Sequence, residues 1–195
     1  MHFNTYGGNG NAAELAATLV NLRPDAGPNA VAAALAAHGN PHRPAPDEHQ
    51  ASELLAWARQ LDSVFGAETL NAQVDTANQL LAASASAPRI TRHNDKAPHL
   101  HYVPDNADTV TAVKAFTAAG VAIIICHEPR RLGRCDRDRC SVVYVDTSPN
   151  GRRRYCSTRC ANHVGVTNHR SRRNGEQPPK FRPARDEPHH KTCGD

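Results

Sequence analysis

Apolar residues recur at intervals of three and four along most of the first 126 residues. This spacing places them on one face of a helix, so the pattern predicts five helices. Their expected starts are Asn11 with Glu14 as a capping box, Pro28, Asp47, the residues after Gly66, and Asp105 or Asp108. Their expected core faces are Leu15, Leu19 and Leu22; Val31 and Leu35; Leu54, Ala58, Leu61 and Phe65; Leu70, Val74, Ala77 and Leu81; and Val113, Phe116, Gly120 and Ile124. The many alanines favour close packing of these helices.

Shorter patterns complete the prediction for this part of the chain. Residues 89–93 and 99–103 flank a turn and predict a small β-hairpin. The run VAIIIC at 121–126 predicts a deeply buried last turn, with Cys126 as a core thiol, and Trp57 is expected on the flank of its helix. The predicted fold is therefore mainly α, with an N-terminal helical domain that carries a small β-hairpin.

The composition adds expectations about the core and the compartment. Hydrophobic residues make up 39% of the 195 residues and aromatic residues 5%, so the core depends on Ala, Leu and Val. No apolar run is expected to span a membrane, and the polar start MHFNTYGGNG lacks the order of a signal peptide. We therefore expect no membrane partner and a cytoplasmic protein, in which thiols stay reduced.

Four cysteines lie in two close pairs. The spacing is Cys135-x4-Cys140, then fifteen residues, then Cys156-x3-Cys160. Two such pairs converge on one tetrahedral ion when the intervening loop folds back, and Zn²⁺ is the favoured ion. Four thiolates leave no position for water, so the pattern predicts one structural zinc ion per chain that stabilises this segment. Two disulfides, or unrelated buried cysteines, are the alternatives that the spacing leaves open.

The residues around the cysteines predict the local fold. Residues 141–145 (SVVYV) favour a strand, residues 149–151 (PNG) a turn, and residues 152–155 a returning strand. Ser157 is a good helix N-cap, and no proline follows it up to Arg173. A knuckle, a β-hairpin and a helix in this order form a treble-clef-like zinc finger.

Charge is concentrated on the same segment. Residues 127–173 contain 12 arginines and 4 acidic residues, a net formal charge of +8, whereas acidic residues are in excess in residues 1–126. This concentration is typical of a module that binds a polyanion, although arginines that are solvated or that offset the charge of the zinc thiolates would explain part of it.

A helical projection of residues 157–173 separates a metal-facing side from a basic side. Cys160, Val164, Thr167 and Ser171 fall on the first side, and Val166 accompanies the basic residues on the second. Arginine binds phosphate oxygens in pairs and reaches guanine edges, so DNA is the predicted partner. The predicted nucleic-acid-binding residues are Arg152, Arg153, Arg154, Arg159, His163, Arg170 and Arg173.

The segment from 134 to 173 resembles the CGNR zinc finger family. The matching residues are Asp146, Thr147, Ser148, Asn150, Gly151, Arg152, Arg153, Tyr155, Cys156, Ser157, Cys160 and Asn162. Ala161 and His163 depart from the family, which has glycine and arginine at these positions. Because histidine is mostly neutral at pH 7, a phosphate contact at His163 would be weaker and pH-dependent.

The same family carries an N-terminal helical region called ABATE, and the start Phe3-Asn4-Thr5-Tyr6 with the helices after it is similar to that region. The resemblance implies a stress-related transcription regulator in three parts. Residues 1–128 would form an ABATE-like helical regulatory domain, residues 129–173 the zinc finger, and residues 174–195 a disordered, proline-rich tail. The helical domain would regulate the finger or form a homodimer.

Two other functions are weighed against DNA binding. The finger could be a protein-interaction or oligomerisation module without DNA binding, in which Tyr155, Val164 and Val166 would matter more than the arginines. A nuclease site is disfavoured because it needs a histidine base on the hairpin strand, and residues 141–155 contain none. We therefore expect no enzymatic activity.

Overall fold

The computed structural model describes residues 9–38, 44–84, 89–91, 98–104 and 106–173. The helices in these ranges are α1 (Asn9–Val20), α2 (Pro28–Ala37), α3 (Glu48–Asp62), α4 (Leu70–Ser84), α5 (Thr109–His127) and α6 (Thr158–Arg173). The strands are β1 (Arg89–Thr91), β2 (His99–His101), β3 (Leu132–Arg134) and β4 (Val143–Val145). The predicted mainly α fold, with small hairpins and a cysteine-bearing C-terminal segment, is confirmed. The tail predicted at 174–195 lies outside the described residues.

Local caps set the starts of several helices. Asp47 accepts a hydrogen bond from the backbone N–H of Gln50, and the Gln50 side chain accepts one from the N–H of Asp47, so a capping box starts α3. Asp108 caps α5, which decides between the two predicted aspartates. The capping box predicted at Asn11 is wrong, because α1 already begins at Asn9 and Asn11 lies within its first turn.

Helix α5 lies at the centre of the helical part, in contact with α1, α3 and α4. Its closest approach is to α1 at Gly120, where a Cβ would lie 2.5 Å from Ala12 Cβ and 2.7 Å from Ala13 N. A side chain at this position would therefore push the two backbones apart. Trp57, expected on the flank of α3, is instead buried, and its Nε1 donates to Thr117 Oγ1 of α5 at 2.9 Å.

The end of α5 departs from two expectations. By length and composition the helix is apolar enough to cross a membrane, but 67% of its apolar window is buried in the protein, which is the pattern of a core helix in a soluble protein. The expectation that no such run exists is therefore corrected. Cys126 is exposed rather than a core thiol, because Ile124 and Ile125 face the core and Cys126 turns to the outer side with Ala122.

Helix α4 buries only the second half of the predicted face, where Ala77 is buried and Leu81 packs against the core. Leu70 and Val74 were expected in the core but are 41% and 37% exposed. Gln73 is buried in their place, and its side-chain amide donates to the carbonyl oxygen of Val64 at 2.9 Å. A polar residue is favoured here because the carbonyl groups after α3 have no helical partner and are removed from water.

Strands β1 and β2 form the antiparallel hairpin predicted after α4, with Ile90 opposite Leu100. For the hairpin predicted within the finger, the second strand was predicted at the wrong place. Residues 143–145 form the strand β4 as expected, but β4 pairs with β3, and residues 152–155 form no strand. Leu132–Arg134 contains no β-branched or aromatic residue, so the sequence pattern did not mark it as a strand.

The strands β3 and β4 are attached to the helices by polar contacts and by a shared core. The Asn21 side chain, just after α1, donates to Val143 O at 2.9 Å and accepts from Val143 N at 3.0 Å, as a neighbouring strand would. Arg134 Nη2 donates to Asp62 Oδ1 at 2.8 Å, at the end of α3. The core cluster that contains residues of α1, α3, α4 and α5 also contains Leu132, Val143 and Val145. The domain boundary near residue 129 stays a prediction.

Candidate metal centre and basic helix

The four predicted ligands come together at one point. Cys135 and Cys140 lie in the loop between β3 and β4, Cys156 lies in the segment before α6, and Cys160 lies in the first turn of α6. Their sulfur atoms all lie within 4.8 Å of one another. The Sγ atoms of Cys140 and Cys156 are 3.8 Å apart, and those of Cys156 and Cys160 are 3.5 Å apart.

These distances fit a zinc ion and exclude disulfides. A tetrahedral site with Zn–S bonds of about 2.3 Å places its sulfurs about 3.8 Å apart, whereas a disulfide needs about 2.05 Å. All four cysteines are free thiols in the structure. Four sulfur ligands fill the coordination shell of Zn²⁺, so the cluster forms a site for one structural zinc ion.

Arg137 supplies a positive charge beside the sulfurs. Its Nη1 donates to Cys160 Sγ at 3.7 Å, and this hydrogen bond is the main reason that the pKa of Cys160 is lowered to about 6. Burial, by contrast, raises the pKa of Cys156 to about 12. Zinc binds thiolates, so metal binding displaces the protons that these thiols carry, and it weakens as the pH falls.

Asp146 organises the turn after β4. Its buried carboxylate accepts hydrogen bonds from the N–H groups of Ser148 at 2.9 Å and Arg153 at 2.7 Å. Burial favours a higher pKa for Asp146, but these hydrogen bonds and the charge of Arg131 outweigh it, and the pKa is lowered. The resulting stabilisation is present above the ordinary pKa of 3.8 and is lost as the pH falls through the lowered value.

Arg131 is the buried centre of the same turn. Its Nη1 donates to the carbonyl oxygens of Asp146 at 2.8 Å and Ser148 at 2.7 Å, and its Nε contacts Glu128 Oε2 at 2.7 Å. Gly151 closes the turn with φ +58°, in the left-handed region that favours glycine, and passes close to the Arg131 guanidinium. The chain from 146 to 151 therefore wraps around one arginine side chain.

Tyr144 links the hairpin to the second cysteine pair. Its hydroxyl donates to Arg153 O at 2.6 Å, and the Arg153 guanidinium lies 4.4 Å above its ring. The same guanidinium donates to the carbonyl oxygens of Tyr155 and Cys156. On the opposite strand, a Cβ at Gly133 would lie 2.6 Å from the Tyr144 ring, so glycine leaves the room that the ring needs. Burial raises the pKa of Tyr144, which keeps its hydroxyl a donor.

Arg154 is attached to the first cysteine loop. Its Nε contacts Asp136 Oδ2 at 2.8 Å, and its carbonyl oxygen accepts from the N–H of Asp136 at 2.9 Å. The side chain also lies against the Tyr155 ring, with its Cζ 5.7 Å from the ring centroid. Residues 153–154 thus hold the two halves of the metal site together through contacts that replace the predicted strand.

Helix α6 begins at the metal site and carries the predicted basic side. The Ser157 hydroxyl accepts from Cys160 N at 3.3 Å, so the predicted N-cap is confirmed. Cys160 is buried, and Val164 and Ser171 are half-buried. Thr167 was predicted on the metal-facing side of α6, but its side chain is exposed. Asn168 is the half-buried residue of that turn instead.

The predicted nucleic-acid-binding residues fall into two groups. Arg152, Arg159, His163 and Arg170 are exposed. Within the part of the chain that the structure describes, the guanidinium groups of Arg152, Arg159 and Arg170 make no hydrogen bond or ion pair. Arg153, in contrast, donates to the backbone carbonyl of Tyr155, and Arg154 donates to the carboxylate of Asp136. Arg173 ends α6, and its side chain lies outside the described residues.

The metal site thus has four converging thiols, and a helix that carries arginines follows it. Residues 131–173 match the family model of the CGNR zinc finger. The CGNR match begins at Arg131 and ends with α6, so it includes both strands β3 and β4 and all four thiols. The ABATE resemblance of the N-terminal part is matched by no family model and stays a prediction. No curated protein matches the chain.

The structure accommodates both departures from the CGNR pattern. Ala161 lies in the first turns of α6, where its N–H donates to Ser157 O at 3.1 Å, and a helix tolerates alanine better than glycine. His163 is exposed on the basic side, and its side chain does not contribute to the metal site.

Several residues that build the segment 131–173 are marked by no sequence pattern. Arg131, Gly133 and Asn21 act through contacts with residues distant in the chain, and no spacing rule identifies such contacts. Asn21 is the extreme case, because its partner Val143 is separated from it by 122 positions. Asp146 was noted only for the family resemblance. Its place directly after an apolar strand and before a Ser-Pro-Asn-Gly turn is a sequence pattern typical of an Asx turn.

Proposed function

We propose that this protein is a zinc-dependent, DNA-binding transcription regulator of the cytoplasm. In this proposal the zinc ion holds α6 against the β3–β4 hairpin, so that the exposed arginines face the phosphates of duplex DNA. The helical part regulates this binding or mediates homodimer formation. The stress association of the resembling family would then describe the condition in which the regulator acts.

The observation that supports DNA binding most directly is the exposed row on α6. Arg159, His163 and Arg170 lie on one side of the helix, at spacings of four and seven residues, and Arg152 is exposed near the metal site. Arginines without an acidic partner are free to donate to phosphate oxygens. Phosphate contacts position a protein on DNA, whereas sequence preference would come from base contacts of Arg159, His163 or Arg170.

The structure also narrows the set of contact residues that we propose. Arg153 and Arg154 bind backbone carbonyls and Asp136, so their role is to shape the finger. Arg152, Arg159 and Arg170 are then the arginines that remain for DNA. Substitution of Arg153 should lower zinc affinity and fold stability together with DNA affinity, whereas substitution of Arg159 should lower DNA affinity alone.

The proposal is tested by the salt dependence of binding to duplex DNA. Three phosphate contacts predict a slope of about −2.7 in a plot of log K against log salt concentration, because each contact contributes about −0.9. Arg159→Ala and Arg170→Ala should each make the slope shallower by about 0.9 and leave the zinc content unchanged. Arg23→Ala, which changes an exposed arginine outside the finger, is the matched control and should leave both unchanged. A flat plot for the unmodified protein would refute the proposal.

Exposed valines support a second candidate, an oligomerisation or protein-interaction module. Val166 on α6 is 51% exposed, and Val142 beside the hairpin is 38% exposed. If Val166 lies in a protein interface, Val166→Asp should shift the sedimentation coefficient toward the monomer, while Arg159→Ala should not. No change in sedimentation with Val166→Asp would leave DNA binding as the better proposal.

A further inference from the structure

A cavity of about 170 Å³ lies between the end of α1 and the second half of α3. Leu22 and Val20 line one wall, Ala58 lines the opposite wall, and Arg59 and Asp62 lie at its rim. The cavity is half open to solvent and is separate from the metal centre. Most of its lining is apolar, so water inside it has few hydrogen-bond partners.

The size of the cavity limits its occupant. An engineered protein cavity of about 150 Å³ binds benzene, so a space of this size holds one small ring or a branched chain of similar volume. Larger cofactors, which need pockets of about 300 Å³ or more, do not fit. The half-open mouth leaves room for a polar group at the rim.

The charged side chains at the mouth of the cavity determine which polar group can bind there. Asp62 is already bound by Arg134, whose Nη2 lies 2.8 Å from Asp62 Oδ1. Arg59 is exposed, and within the described ranges its guanidinium has no acidic partner. The unmatched charge at the mouth is therefore positive and favours an anion, and a planar guanidinium is well suited to a carboxylate.

We propose that this cavity binds a small aromatic or branched-chain carboxylate, with the apolar part between α1 and α3 and the carboxylate at Arg59. Two of the polar contacts between the helical part and the finger lie next to the cavity. Val20 and Leu22 flank Asn21, which binds the backbone of Val143, and Asp62 binds Arg134 of β3. A bound molecule therefore changes the surroundings of β3 and β4, and the binding itself does not depend on DNA.

Benzoate is the probe for this site, with benzyl alcohol as an uncharged molecule of similar shape. In heteronuclear NMR titrations of the full-length, zinc-loaded protein, benzoate should cause saturable shifts of the amides at Val20, Leu22 and Ala58, with a Kd of about 1 mM. The amide of Val143 should shift with the same Kd. Benzyl alcohol should bind about threefold more weakly or worse, since it lacks the ion pair.

Two kinds of variant test the location. Ala58→Leu and Val20→Phe each fill the cavity from a different wall, and either one, if folded by circular dichroism, should abolish the shifts. Arg59→Gln should weaken benzoate binding about threefold without affecting benzyl alcohol. The control Arg139→Gln removes the same charge from an exposed site in the cysteine loop and should change neither. Shifts that do not saturate, that persist in the filled variants, or that cluster on α6 would overturn the proposal.

Discussion

Polar side chains, of which Gln73, Arg131 and Asp146 are buried, determine how the segments of this protein fit together. Asp146 and Arg131 bind the backbone of the turn after β4, Asn21 binds the edge of β4, and Gln73 binds a carbonyl oxygen after α3. Each of them satisfies backbone groups that are removed from water and that have no partner in a helix or sheet. Such side chains are costly to replace, because loss of one partner leaves the other buried and unsatisfied.

Asp146→Asn tests this role of the carboxylate. An asparagine side chain has one acceptor oxygen instead of two, so either the N–H of Ser148 or that of Arg153 loses its partner. We expect the free energy of unfolding, measured with urea, to fall by about 1–3 kcal/mol. The control Asp138→Asn changes an exposed carboxylate and should have little effect.

The pH dependence of this difference follows from the lowered pKa of Asp146. The carboxylate stays ionised above its ordinary value of 3.8, so the deficit of Asp146→Asn should be the same at about pH 7 and about pH 5. It should shrink only in stronger acid, where Asp146 itself becomes protonated. A deficit that already shrinks between these two pH values would contradict the assigned lowering of the pKa.

At the scale of single residues, the sequence predicted those residues whose role depends on near neighbours in the chain. The four cysteines, the cap at Asp47 and the cap at Ser157 were predicted because each acts over a few positions or at a fixed spacing. Gln73 and Asn21 were not predicted, since a polar residue looks like an ordinary surface residue until its partner is known. Because Gln73 faces the core, Leu70 and Val74 are exposed instead.

At the scale of elements, α5 is held by close packing and α6 by its first turn. Helix α5 crosses α1 at Gly120 with almost no space between the backbones. Helix α6 has its capped start and Cys160 at the metal site, while most of its remaining length is exposed. An isolated helix of this length is marginal in water, so α6 depends on the metal site for its position.

Two glycine substitutions compare these helices. Gly120→Ala should destabilise the protein by about 1–3 kcal/mol, because the new Cβ would meet the α1 backbone at 2.7 Å. Gly165→Ala in α6 meets nothing within 4 Å and should stabilise the helix by about 0.5–1 kcal/mol. Urea unfolding measures the effect of Gly120→Ala, and amide hydrogen exchange of α6 measures the effect of Gly165→Ala. Equal effects of the same sign would contradict the described packing.

Strand pairing was the least predictable feature at this scale. The strand β4 was found from its Val-Tyr-Val composition, but its partner was assigned to residues 152–155, which follow a turn sequence. The actual partner is β3, and its three residues carry no strand preference. Its pairing is stabilised by the core contacts of Leu132 and by Arg134, which are tertiary contacts that no local pattern encodes.

In the whole molecule, the finger strands belong to the helical core, and the zinc site stabilises the segments beyond them. Leu132, Val143 and Val145 are buried among residues of α1, α3, α4 and α5. The cysteine loop, residues 152–157 and α6 have no comparable apolar core of their own. We therefore expect zinc to control the C-terminal part of the finger rather than the fold of the whole chain.

Metal removal tests this division. After treatment with a strong chelator under reducing conditions, the amides of α6 should lose protection from hydrogen exchange, while those of α1, α3 and α5 should keep it. Far-ultraviolet circular dichroism should lose only the fraction of helix that α6 contributes. Complete unfolding on chelation would contradict the shared core, and full protection of α6 without metal would contradict its dependence on zinc.

The most direct test of the central claim, that four thiolates bind one zinc ion and anchor the basic helix, is the zinc content per chain of the purified protein and its cysteine variants. The account predicts one zinc per chain for the unmodified protein and for Cys126→Ser, which alters an exposed thiol outside the site. It predicts loss or strong weakening of zinc binding for each of Cys135→Ser, Cys140→Ser, Cys156→Ser and Cys160→Ser. Full zinc content in any of these four variants, or its loss in Cys126→Ser, would contradict it.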